Sequence, residues 1–145
     1  MTHKLAMMGL LAVALFLAGC ATPYQPYSSS NMLGGYHDAK IQDDIFSVSF
    51  QGNAAIKPEA AADYALLRAA ELTLEQGCKY FAIISNKDAS NRGIGVAGDY
   101  LYTYTMPSTN MMIKLFKTKP QIAGTVFDAA QVSNNIRNKW EGLRK

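Results

Sequence analysis

The longest apolar run of the chain lies near its start, at residues 5–17. Lys4 gives it a basic lead, the small pair Ala18-Gly19 closes it, and a polar, proline-containing stretch comes next at 21–30. Such a segment reads as a secretory signal that is cut away. A membrane-spanning helix needs roughly 20 apolar residues, and no basic stop-transfer cluster follows this shorter run. Residues 20–35, with Pro23, Pro26, three consecutive serines and Gly34-Gly35, bury too little apolar surface to order themselves and read as a flexible tether. From 36 to 51 the period is two. Ala39 and Ile41 share one parity, while Phe46, Val48 and Phe50 alternate with Ser47, Ser49 and Gln51. With Asp43-Asp44 as the turn, this predicts a β-hairpin with one apolar and one wet face.

The period then lengthens. Pro58 opens a helix where its missing N–H costs nothing, Glu59 suits the first turn, and Gly77 caps the end. Tyr64, Leu67, Ala70, Leu74 and Cys78 form the predicted buried stripe. Arg68, Glu71, Glu75 and Lys79 form a charged face. Residues 80–85 read as a buried strand, and a loop through Gly93, Gly95 and Gly98 comes after it. Strands at 100–106 and 111–117, joined around Pro107-Ser108-Thr109, make a second hairpin. Asp128 caps a last helix in which Val132, Ile136 and Trp140 recur every fourth residue. The order β-β-α-β-β-β-α predicts an α+β fold, its helices packed on a mainly antiparallel sheet.

The residue just past the small pair changes the expectation from secreted to anchored. The string Leu17-Ala18-Gly19-Cys20 resembles the bacterial lipoprotein box. That resemblance implies cleavage after residue 19, a diacylglycerol on the Cys20 thiol and an acyl chain on its amine. Each buried methylene contributes about 0.8 kcal/mol, so two or more chains anchor stably where one does not. Ala21 is not Asp, which by the sorting rule of such proteins implies the outer membrane, with the domain facing the periplasm. Removing 19 residues from 145 leaves 126, enough for a single domain at 36–145.

Charge is close to balanced, 14 Lys and Arg against 11 Asp and Glu, with no basic block, which argues against a nucleic-acid partner. With Cys20 acylated, Cys78 has no disulfide partner. One Cys and one His (His37) in the mature chain make a poor zinc ligand set. Neither a metal nor a cofactor is expected beyond the acyl chains.

Four constellations invite chemistry. Gly93-Ile-Gly95-Val-Ala-Gly98 matches the dinucleotide pattern, but a strand rather than a helix is predicted behind it, so the loop reading is preferred. Cys78 and His37 are the sole thiol–imidazole pair. Cys78 continues the apolar stripe past a helix C-terminus, where the dipole disfavours a thiolate, and reads as buried and inert. Tyr100, Tyr102 and Tyr104 share one strand face by the period of two. They read either as cross-strand packing or as an aromatic platform for a peptide or glycan. Asp43-Asp44 is a turn before it is an acid/base pair.

Arg68-Ala-Ala-Glu-Leu-Thr-Leu-Glu-Gln-Gly77, the following Tyr80-Phe81, the Gly35-Tyr36 start, the 46–53 hairpin end and Phe127-Asp128-Ala129 together resemble an uncharacterised family of small proteobacterial envelope lipoproteins. The resemblance implies class and location and brings no activity with it. The expectation is a non-catalytic, outer-membrane-anchored lipoprotein, held by membrane lipid through its acyl anchor, whose periplasmic domain engages another envelope component. The alternative is a small-ligand or peptidoglycan-fragment binding module using the Tyr100, Tyr102 and Tyr104 face.

Overall fold

The alternation at 36–51 folds as strands β1 (Gly35–Gln42) and β2 (Ile45–Gln51), antiparallel around the turn Asp43-Asp44. A computed structural model describes residues 21–30 and 33–140. The signal segment and Cys20 lie outside the described residues. Phe46, Val48 and Phe50 of β2 are buried on one face, and Ser47 and Ser49 occupy the other by the pleat. Strands β3 (Tyr80–Asp88), β6 (Ser108–Phe116) and β7 (Val126–Asp128) complete a five-stranded sheet in the order β1-β2-β6-β3-β7. All of its neighbours are antiparallel. Phe81, Met111, Ile113 and Leu115 extend the buried face. Fully buried rings such as Phe50 and Phe81 contribute about 1.5–3 kcal/mol each.

Helices α1 (Pro58–Glu75) and α2 (Ala129–Lys139) cover that face and pack on one another, and among the described residues no helix lies on the opposite sheet face. The chain is therefore α+β with a mainly antiparallel sheet. Helix α1 begins at Pro58 with Glu59 in its first turn. It ends in a Schellman motif: Gly77, at φ 70°, donates to the Leu74 carbonyl, and Cys78 N–H donates to the Thr73 carbonyl. Its buried side carries Ala60, Ala61, Ala65, Leu67, Ala69, Ala70, Leu72 and Thr73. The alanines let the backbone approach both the sheet and α2. This inward face corrects one predicted position. Leu74 is exposed, and Thr73 points inward with its hydroxyl donating to the Ala69 carbonyl at 2.7 Å. The α2 cap is as expected, Asp128 accepting from Gln131 N–H at 3.0 Å. Trp140 ties α2 to α1 by donating to Asp63 at 2.9 Å.

The tether is corrected over residues 21–27, which lie along the outer edge of β1. Thr22 is buried, donates to the Leu33 carbonyl and accepts from Asn53 N–H at 2.7 Å. Tyr24 packs tilted against Tyr36 and edge-on against Tyr64, with ring centroids 4.8 and 5.6 Å away, and its hydroxyl donates to Glu71. Pro26 forms a parallel bridge with Tyr36, flanked by two backbone hydrogen bonds of 2.7 and 2.8 Å. Gly34-Gly35, which reads as linker, is where this segment sits. A Cβ at Gly34 would fall 2.1 Å from the Gln51 carbonyl oxygen, and one at Gly35 2.4 Å from that of Gln25. The Gly pair that signals a tether thus serves close packing, and Thr22 and Tyr24 supply the buried surface. The segment also covers part of an edge strand.

The second hairpin is corrected too. Residues 100–106 do not turn back onto 111–117 at Pro107. They form β5 (Tyr100–Met106), paired with a strand that the sequence hid, β4 (Asn91–Ala97).

Candidate functional site

Strands β3, β4, β5 and β6 are one long antiparallel ribbon. Beyond a bulge at Ile84, Ser85 pairs with Met112 and Asp88 with Thr109. The same register resumes at Asn91 with Met106 and runs to Ala97 with Tyr100. Pro107 interrupts the ladder because it has no N–H to donate, and the strand passes through it without reversing. The reversal comes at Gly98-Asp99. A positive φ of 61° at Gly98 and none at Asp99 is the pattern of a type II′ turn. Among the described residues the outer part of the ribbon, 91–106, forms a separate two-stranded sheet of β4 and β5. It is an arm.

The root of the arm is pinned. Asp88 accepts from both the amide and the hydroxyl of Ser90, and the Ser90 oxygen accepts from Ser108 N–H at 3.2 Å. Ala89 N–H donates to the Ser108 carbonyl, and Gly52 N–H to the Pro107 carbonyl. The Ser90 donors hold the Asp88 carboxyl below the usual carboxylate range.

Cross-strand pairing sorts the arm into two faces. On one, Tyr104 lies opposite Gly93, Tyr102 opposite Gly95 and Tyr100 opposite Ala97. The glycines are seats for the rings: a Cβ at Gly93 would fall 2.5 Å from the Tyr104 ring, and one at Gly95 2.3 Å from that of Tyr102. Aromatic cover of a strand glycine replaces the packing that the glycine lacks. The second face carries Ile94, Val96 and Leu101 with Thr103. Exposure is high on both, 79% for Tyr100, 75% for Leu101, 71% for Ile94, 70% for Val96 and 51% for Tyr102. Arg92 and Asp99 are the arm's sole charged residues.

Of the predicted residues, Tyr100, Tyr102 and Tyr104 share a face of β5, away from the core, with Tyr104 the more covered. Cys20 lies outside the described residues. The glycine run leads into strand β5 and not into a helix, so no helix N-terminus stands behind it to face a phosphate. Cys78 is half-buried rather than buried, packed at the rim of the core. His37 is exposed and, by the alternation of β1, points away from Asp38, which faces the helices. Thiol and imidazole are therefore on opposite sides of the sheet. Asp43 and Asp44 pair with Lys40 and Lys114 at 3.1 and 3.3 Å. The aliphatic face of the arm escapes the sequence reading, although Gly93-Ile-Gly-Val96 alternates with period two.

A second charged cluster is structural. Arg68 donates to Asp38 at 2.7 Å and to Glu75 at 2.7 and 3.0 Å, its guanidinium 5.0 Å from the Tyr36 ring centre. Glu71 accepts from Tyr24 and from Arg137. Burial, then the bond to Glu71, raises the Tyr24 pKa. Burial pulls the Arg68 pKa down, but the Glu75 and Asp38 bonds carry it above its ordinary value. The cluster clamps the 21–27 segment, β1 and both helices together.

Among the described residues no three His, Cys, Asp or Glu side chains converge as a metal site, and no helix is long and apolar enough to cross a membrane. Comparison with protein-family models, with curated proteins and with solved structures found no match to this chain.

Proposed function

We propose that the protein is a non-catalytic, outer-membrane-anchored lipoprotein of the family that its motifs resemble, whose periplasmic domain engages another envelope component through the arm. The observation that carries this reading is the arm itself. Two strands project from a domain whose core closes without them, and they present large apolar side chains on both faces. A contiguous exposed apolar surface on a small domain marks a place of contact. Tyrosine suits such contact, since each ring offers broad apolar area and a polar tip.

Between the two uses of the tyrosine face, the geometry favours a macromolecular contact. The Tyr102 and Tyr104 rings are 6.3 Å apart and inclined by 47°. They form a ridged surface rather than one plane on which a sugar ring stacks. A photoreactive residue at position 102, activated in cells, tests this reading. The expected result is a discrete crosslinked envelope protein that is absent when the probe sits at Asn134 on α2. Equal yields at 102 and 134, together with saturable binding of soluble muropeptides to the purified protein, would replace it with the ligand-binding alternative.

A further inference from the structure

We propose that the Ile94, Val96 and Leu101 face of the arm lies on the lipid bilayer that holds the anchor, so that the tyrosine face turns away from the membrane. This inference rests on the anchor reading of Cys20. Its starting point is the buried Thr22. Two chain steps separate Cys20 from Thr22, a reach of about 8 Å at most. A protein lipidated at Cys20 therefore has almost no slack before its fold begins, and the domain sits at the membrane surface.

The arm shares that end of the molecule. Thr22 exchanges hydrogen bonds with Asn53, the neighbouring Gly52 donates to the Pro107 carbonyl, and Pro107 follows the last residue of β5. A groove at the same place is lined by Tyr27, Gly34, Gly52 and Met106 together. The anchor point and the arm root are therefore neighbours. From that root the arm reaches about 23 Å, seven residues per strand at about 3.3 Å each.

The chemistry of the arm fits a lipid surface. Its aliphatic face carries a single charge, Arg92, at the root beside Thr105, and the arm's other charge, Asp99, is in the terminal turn. Asp99 at the tip disfavours end-on insertion and suits an arm lying flat, its turn in the headgroup layer. Exposed Lys57 stands at the same end, next to Pro58 of the groove that Asp88 and Pro107 also line. With Arg92 it is placed to meet anionic headgroups.

The test uses the lipidated mature protein in vesicles of phosphatidylethanolamine and phosphatidylglycerol. Nitroxide labels are placed at Val96→Cys, Leu101→Cys and, as the aqueous reference, Asn134→Cys, each combined with Cys78→Ala. Flotation of the unlabelled protein reports the anchor separately. The expected result is several-fold greater oxygen accessibility, relative to a water-soluble nickel chelate, at 96 and 101 than at 134. Equal ratios in protein that floats with the vesicles would overturn the inference and leave the anchor standing. Spin–spin broadening at 96 that grows with the protein-to-lipid ratio would also overturn it, by showing that a second copy covers the face. Protein that fails to float would remove the anchor reading and this inference with it. All labelled positions are exposed, and an unchanged circular dichroism melt confirms the fold.

Discussion

Gly93 and Gly95 decide more about this molecule than residues of their size usually do, because each lies beneath a tyrosine ring. Gly95→Val places branched carbons where the Tyr102 ring lies. The expected outcome is displaced Tyr102 ring resonances in proton NMR and loss of crosslinking from the tyrosine face, while the melting temperature of the domain stays within about 3 °C of wild type. Tyr102→Ala belongs with it. A core aromatic truncated to alanine costs about 3–5 kcal/mol, but this ring is half-exposed on an arm, so the melt should move by less than about 3 °C, under 1 kcal/mol for a domain of this size. Asp88 gives a titratable prediction. Its pKa is lowered in the folded protein, so the pin on the arm root is complete above the unfolded carboxylate pKa and is lost as pH falls through the lower folded value. The Ser90 amide resonance should follow that transition below the usual carboxylate range. In Asp88→Ala it should already sit at the acid-limit position at neutral pH.

At the scale of elements, those with clear punctuation were legible. Pro58 and Gly77 bracket α1, Asp128 opens α2, and Asp43-Asp44 turns the first hairpin. The α+β class followed from them. The remainder was hidden where residue type and tertiary role conflict. Glycine in a strand weakens it, so Gly93 and Gly95 read as loop until their cross-strand tyrosines are known. Pro107 reads as a turn, yet it is a break in the ladder of a strand that continues. The 21–27 segment reads as linker by composition, while Thr22 and Tyr24 find partners 31 and 47 residues away, at distances no local pattern reports. Of the candidate site, the tyrosine face was legible from its period of two. The projection of that face beyond the core was not. Tyr24→Phe tests the docked segment. It removes a hydrogen bond to the Glu71 carboxylate, and bonds to charged groups are worth about 1.5–3 kcal/mol. Denaturant unfolding should show a loss near the lower end of that range, and chymotrypsin should cut the 21–30 segment faster.

As a whole, the molecule divides into a closed two-layer domain and an appendage that its core does not use. The five-stranded sheet, α1, α2 and Ile56 of the loop before α1 form the buried cluster, with no member from 91–106. That division underlies the proposed arrangement, in which an anchor beside the arm root lays one face on lipid and offers the other to an envelope partner. Thermal unfolding of an armless protein tests the division most directly. Ala89 N–H donates to the Ser108 carbonyl across the ribbon, so replacing 90–107 by Asn-Gly closes the shortened ribbon on a hydrogen-bonded pair with a two-residue hairpin turn. The division predicts one cooperative transition within about 5 °C of wild type. A non-cooperative melt, or a fall of about 15 °C or more with the turn correctly formed, would contradict it and make the arm part of the fold.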